Sequence, residues 1–176
     1  MQRHTVEVAP AHISQVPTIA ELINRFAGRG EILPRSVEDI YQSMRDWVVA
    51  RDGETVVGCG SLVILWADLA EVRSLIVAPE YQGRGIGQQM VEMLIAQAAS
   101  LDIPKVFALT RKPGFFTRAG FHQVPRSSLP RKIWKDCIHC TNFVRCDEVA
   151  MLQEIQLQTS LGQHNAIPIL SDLAVA

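Results

Sequence analysis

The densest chemistry in the chain lies in the run Leu75-Ile76-Val77-Ala78-Pro79-Glu80-Tyr81-Gln82-Gly83-Arg84-Gly85-Ile86-Gly87-Gln88. It reads as a strand, a tight glycine-rich turn and the start of a helix. Glycines let main-chain amides approach an anion with no side chain in the way. A helix start adds unpaired N–H groups and the positive end of a dipole. Gly83 to Gln88 therefore read as a diphosphate cradle, to which Arg84 adds a charge. The spacing departs from the G-x-G-x-x-G dinucleotide fingerprint and from the G-x-x-x-x-G-K-[ST] loop of nucleotide triphosphatases. A turn that is merely tight would also carry three glycines, so the context must decide.

Two further groups could do chemistry. Glu71 lies six residues before Val77, on the same face of an unbroken strand, though a bulge between them would change that. A carboxylate beside a bound cosubstrate can take a proton; a solvent-facing charge is the plain alternative. Cys137-x2-Cys140-x5-Cys146 places three thiols within ten residues. His139, His122 or Asp147 could complete the four ligands of a closed zinc site. With no second C-x-x-C, zinc is not favoured and the metal question stays open; reduced thiols packed in an irregular loop are the alternative. Cys59 stands alone in an apolar strand and reads as core.

The elements that must position these groups follow from periodicity. Apolar residues at Ile13, Val16, Ile19, Ala20, Ile23, Phe26 and Ala27 predict a helix from Ala11, stopped by Gly28 and Gly30. Ser36-x-x-Asp39 resembles a capping box and opens a second, short helix carrying Ile40 and Met44. Trp47–Ala50 and Thr55–Leu65 read as a hairpin about Asp52-Gly53-Glu54, with Gly58 and Gly60 marking a close backbone approach or a bulge. A strand is expected over Leu69–Val77 and a long helix over Gly85–Leu101, with Ile86, Met90, Leu94, Ala98 and Leu101 on one face. Lys105–Thr110 reads as a strand and Pro113–Ala119 as a short helix. Extended chain is expected at Phe121–Val124 and Asp147–Ile155. Residues 125–145 and the tail have no clear period. The order argues for an α+β fold with a mixed, mainly antiparallel sheet.

Composition bounds the function. The chain has 176 residues, the length of one domain; residues 1–155 read as that domain and 156–176 as a tail. The net charge of −1 lacks the basic excess of a non-specific nucleic-acid binder. The longest apolar stretch falls well short of a membrane span, and the N-terminus has no apolar core of a signal peptide. A cytoplasmic protein with reduced cysteines is expected.

The context of the glycine turn then carries a resemblance. Gln82-x-x-Gly85-x-Gly87, after a strand ending in Val-x-Pro and before a long amphipathic helix, resembles the acetyl-CoA loop of the GNAT superfamily of N-acetyltransferases. Phe115-Phe116-Thr117-Arg118-Ala119-Gly120-Phe121 resembles that superfamily's second signature. The resemblance implies a GNAT fold, helices on both faces of the sheet, and a splayed strand pair that admits acetyl-CoA. It implies that main-chain groups of Leu75, Ile76 and Val77 pair with the pantetheine arm. It also implies that Gln82, Gly83, Arg84, Gly85, Ile86, Gly87 and Gln88 hold the diphosphate, and that Glu71 is the general base. Where the superfamily often has a tyrosine that protonates the leaving thiolate, this chain has Phe116, which has no proton to give.

A closer resemblance concerns the amine. Glu31-Ile32-Leu33-Pro34-Arg35-Ser36, Leu129–Cys140 and Arg145-Cys146-Asp147-Glu148-Val149-Ala150-Met151 look like the short, single-domain group of N-acetylglutamate synthases. These acetylate the α-amine of glutamate at the entry to arginine synthesis. The longer enzymes add an arginine-binding kinase-like domain, for which this chain leaves no room. The resemblance implies substrate contacts from Leu33, Arg35 and Arg145, with Arg73 and Arg111 as further candidates. Glutamate's two carboxylates each favour a bidentate arginine. The expected partner is a small-molecule amino acid, with no nucleic acid and no membrane; a homodimer is compatible. Two rivals stand beside this reading: the same fold acetylating a protein N-terminus, a lysine or a polyamine, and a non-catalytic CoA-binding module.

Overall fold

A computed structural model of the chain describes residues 5–129 and 145–157. Seven strands form one sheet in the order β1-β2-β3-β4-β5-β7-β6. They are β1 (Glu7–Pro10), β2 (Trp47–Asp52), β3 (Thr55–Trp66), β4 (Leu69–Val77), β5 (Lys105–Thr110), β6 (His122–Val124) and β7 (Val149–Glu154). All neighbours are antiparallel except β4 and β5. The helices are α1 (Val16–Ala27), α2 (Val37–Gln42), α3 (Ile86–Ser100) and α4 (Pro113–Arg118). The sheet is mixed and mainly antiparallel, as its sequence patterning predicts.

Alternation along the strands sends successive side chains to opposite faces. Val48, Ala50, Val57, Leu62, Ala70 and Val72 pack with Met90, Leu94 and Ala98 of α3. Trp47, Val49, Cys59 and Ile76 pack on the other face with Ile19, Ile23 and Phe26 of α1. Helices therefore cover both faces.

Local chemistry sets most boundaries. Asp39 N–H donates to Ser36 Oγ at 3.0 Å, and Ser36 N–H donates to Asp39 Oδ2 at 3.4 Å, so the capping box forms. Asp52 pairs with Thr55 across a two-residue turn. A Cβ on Gly58 would lie 2.9 Å from the Ile76 carbonyl, and one on Gly60 would lie 2.9 Å from Leu75 Cδ1. Both glycines thus permit a close approach.

Periodicity overran three helix ends. The α2 helix stops at Gln42, which leaves Met44 in a separate 3-10 turn. The α1 helix starts at Val16 with Pro17 in its first turn, where a missing N–H costs nothing. A short 3-10 turn precedes it, and Ile13 is exposed. Leu101 follows α3 as its cap and is also exposed, so it leaves the face assigned to it.

Candidate active site

The site begins with a fault in the sheet. β4 and β5 pair only at Ala70↔Val106 and Glu71↔Phe107. Beyond that point, among the described residues, β4 has no ladder partner on its β5 side. On its other side the register with β3 shifts: Cys59 faces Ile76, but Ser61 faces Arg73. Two residues, Ser74 and Leu75, thus stand against Gly60 alone. Ser74 takes the left-handed φ of 51°, so this is a β-bulge.

The bulge corrects the expected placement of Glu71. The extra residue inverts the alternation beyond it. Ala70 and Val72 share the α3 face with Leu75 and Val77. Glu71 and Arg73 therefore point to the opposite face from Val77. Glu71 is buried, and Arg73 Nε donates to its Oε2 in an ion pair.

Where β4 and β5 part, a cleft of about 810 Å³ opens. Leu75, Ile76 and Val77 line it from β4, Leu109 and Thr110 from β5, and Phe115 and Phe116 from α4. Gln82, Gly83, Gly85, Ile86, Gly87 and Gln88 line the α3 end. Gly83 and Gly85 have φ of 76° and 79°, and a Cβ on either would meet open space. These positive angles favour glycine, and they turn the chain sharply into the helix. The first helical bond runs from Gln89 N–H to the Gly85 carbonyl at 3.1 Å. The amides of Ile86, Gly87 and Gln88 are thus the orphan donors of the helix start.

Side chains brace this turn. Gln82 Nε2 donates to the Val77 carbonyl at 2.8 Å. Tyr81 Oη donates to Asp52 Oδ2 at 2.8 Å, which raises the phenol's pKa above its ordinary value. Arg84 lies over the Tyr81 ring and donates to the Glu80 carbonyl at 2.7 Å. It stands outside the cleft lining.

The opposite wall is the loop between α1 and α2. Leu33 and Arg35 line the cleft from it, Arg73 lines it from β4, and Arg111 lines it just after β5. Arg145 is exposed and is not among the lining residues. Arg111 Nε donates to Asp147 Oδ1 at 2.7 Å, and its Nη1 donates to the Gly30 carbonyl at 2.9 Å. Cys146 and Glu148 also face the cleft. Cys137 and Cys140 lie outside the described residues, and so does the expected thiol cluster. Among the described residues no group of three or more His, Cys, Asp or Glu side chains forms a metal site.

Several lining residues escaped the sequence reading. Lys112, Arg118 and Arg126 add cations, and Glu148 adds a carboxylate. Arg118 occupies an unspecified position of the second signature and Glu148 lies in the Arg145–Met151 run, where spacing singles out neither; Lys112 and Arg126 sit in no motif.

The Acetyltransferase (GNAT) family matches residues 17–121 of this chain. The chain belongs to that family. It is an N-acetyltransferase, an acyltransferase that uses acetyl-CoA. An uncharacterized N-acetyltransferase of Chlorobaculum tepidum is 36% identical over 148 residues, 84% of this chain and 96% of that protein. An amino-acid acetyltransferase of Mycobacterium tuberculosis is 33% identical over 132 residues, 73% of this chain and 75% of that protein. Among solved structures, a Mycobacterium tuberculosis protein in complex with CoA and NLQ superposes with a TM-score of 0.71 at 30% identity, covering 85% of this chain and 99% of that one. The N-acetylglutamate synthase of Neisseria gonorrhoeae, complexed with coenzyme A and N-acetyl-glutamate, shares the fold at a TM-score of 0.77 and 24% identity. This acetyltransferase covers 36% of that longer chain.

Proposed function

We propose that this acetyltransferase acts on the α-amine of an amino acid, with L-glutamate the first choice. That places it at the entry to arginine synthesis. One observation carries the reading: the charge of the cleft around Glu71. Among the described residues, six cationic side chains line it (Arg35, Arg73, Arg111, Lys112, Arg118 and Arg126) against three carboxylates (Glu31, Glu71 and Glu148). A dianionic amino acid and the phosphates of CoA both suit that excess, whereas a polyamine would be repelled. The names of the relatives point the same way.

The residues divide the work by position. Main-chain amides of Gly83 to Gln88 receive the diphosphate, with Arg84 lending charge from outside. Leu75, Ile76 and Val77 offer main-chain groups along the parted edge of β4 for the pantetheine arm. An amide among these polarises the thioester carbonyl. Glu71 takes one proton from the substrate ammonium, directly or through water, and so frees the lone pair that forms the N–C bond; the nitrogen sheds a second proton to solvent as the C–S bond breaks. Phe116 is buried against Phe115 and Phe121 and offers the leaving thiolate an apolar wall, so its proton comes from solvent. Leu33 and Arg35 face the amino acid, with Arg73 beside Glu71 and Arg145 at the margin.

The test is release of free CoA thiol from acetyl-CoA across the twenty amino acids, polyamines and a lysine peptide. Highest turnover with L-glutamate is expected. Turnover confined to a polyamine or lysine peptide overturns the substrate class. CoA binding with no turnover on any amine makes the protein a binding module.

A further inference from the structure

We infer that Asn24 and Arg111 are positioning residues, which tether the loop 28–36 at its two ends and thereby aim Arg35 into the cleft. The inference rests on the proposed amino-acid substrate for its consequence, but the tether stands on geometry alone. The loop has no helix or strand of its own, yet it forms one wall of the cleft.

At its far end, Asn24 reaches across from the last turns of α1. Its Nδ2 donates to the Arg35 carbonyl at 2.9 Å, and its Oδ1 accepts from Arg35 N–H at 3.1 Å. One side-chain amide thus pairs with both main-chain polar groups of a single residue, as a neighbouring strand would. The main chain at Arg35 is fixed on α1, and its side chain leaves from that fixed point into the cleft.

At the near end, Arg111 follows the last residue of β5. Its Nη1 donates to the carbonyls of Gly30 and Glu31, at 2.9 and 3.5 Å. Its Nε donates to Asp147, two residues before β7. A planar guanidinium with several fixed donors suits such a three-way junction. These contacts engage Nε and Nη1 with the protein itself, so Arg111 serves as a strut where the family resemblance suggests a substrate ligand. Between the two tethers Ile32 packs against the α1-side core. A loop so held loses little freedom when a substrate binds, which favours affinity for the group it presents.

The experiment has two arms. Hydrogen exchange on unliganded Asn24→Ala and Arg111→Ala is compared with wild type. Faster exchange over 28–36, with 83–88 unchanged, is expected. Equal exchange over 28–36 overturns the tether. In the second arm, each variant should raise the amino-acid KM about tenfold, a misaimed ligand being costly even at small displacements. The acetyl-CoA KM should stay within about twofold, since no tether reaches the α3 end. Asn24→Ala in an Arg35→Ala background should add almost nothing, because Asn24 acts through Arg35. A full additive penalty there, or equal rises in both KM values, overturns the aiming role. Should wild type acetylate no amino acid, the proposed function fails and the aim at a carboxylate fails with it; the exchange arm still decides the tether.

Discussion

At the α3 end of the cleft the proposed binding groups are main chain: the amides after Gly83 and Gly85, and the parted edge of β4. At the opposite end they are side chains: Arg35 from the α1–α2 loop, Arg73 from β4 and Lys112 after β5. The first arrangement depends on backbone angles within a few consecutive residues. The second depends on distant segments meeting. A main-chain cradle tolerates drift in side chains, and a side-chain wall can be rebuilt without disturbing it.

Glu71 lies between the two ends, and its loss should have the largest effect. Glu71→Gln keeps the volume and removes the proton acceptor. A fall in kcat of about 10²- to 10⁴-fold is expected, the usual worth of a general base. Acetyl-CoA affinity, measured by calorimetry, should hold. A variant that retains kcat removes the base assignment. One that loses acetyl-CoA affinity as well would join the two ends that the structure separates.

Gly85→Val attacks the main-chain end alone. A β-branched residue is strained at a φ of 79°, by about 1–2 kcal/mol or more. The expected result is an acetyl-CoA KM raised about tenfold. The amino-acid KM should be unaltered. Equal rises in both would mean that the turn also shapes the amine site.

The same contrast decides what could be read in the sequence. The glycine turn, the Ser36–Asp39 capping box and the hairpin at Gly53 were legible because each is local. A few adjacent residues set the backbone there. The parity of Glu71 was not legible. It hangs on Ser74 adopting a left-handed angle, and serine gives no cue for that as glycine would. Asn24, Lys112, Arg118 and Arg126 were silent for a different reason. They are ordinary polar residues, exposed or half-buried, and only the fold brings Lys112, Arg118 and Arg126 to one cleft and sets Asn24 against Arg35. Arg84 shows the converse. It sits inside the most readable motif, yet it stacks on Tyr81 and stays out of the cleft lining. Hydrophobic periodicity also continued past helix ends at Ile13 and Leu101, because an apolar residue can fit the pattern by chance after the helical bonds have stopped.

Thiol chemistry sharpens the contrast between wall and core. Cys59 is fully buried, and burial pushes its pKa up to about 12. At pH 8 about one molecule in ten thousand would carry the thiolate that reacts. Cys146 is partly exposed and faces the cleft. Peptide mapping after brief iodoacetamide treatment should find Cys146 alkylated and Cys59 intact until the chain is unfolded. Of these two thiols, bound acetyl-CoA should slow only Cys146. Native labelling of Cys59 would mean that the α1 face opens far more readily than its packing implies.

The smallest effect is expected at the strut's exposed pair. Arg111 beside Asp147 holds that carboxyl below the ordinary aspartate range, chiefly through their hydrogen bond. A depressed folded pKa stabilises the fold above the unfolded pKa, and that contribution is lost as pH falls through the folded value. The pair is largely solvated, so screening leaves it little weight. Asp147→Asn should therefore lower the melting temperature slightly and by the same amount at every pH from about 5 to 8, since the wild-type carboxylate is ionised throughout. The difference should shrink only below the ordinary aspartate range, as both pKa values are crossed. The backbone bonds from Arg111 to Gly30 and Glu31 survive this substitution, so the amino-acid KM should move less than in Arg111→Ala. If Asp147→Asn matches Arg111→Ala in KM, the ion pair rather than the carbonyl contacts orients the side-chain wall, and that wall becomes sensitive to salt in a way the main-chain end is not.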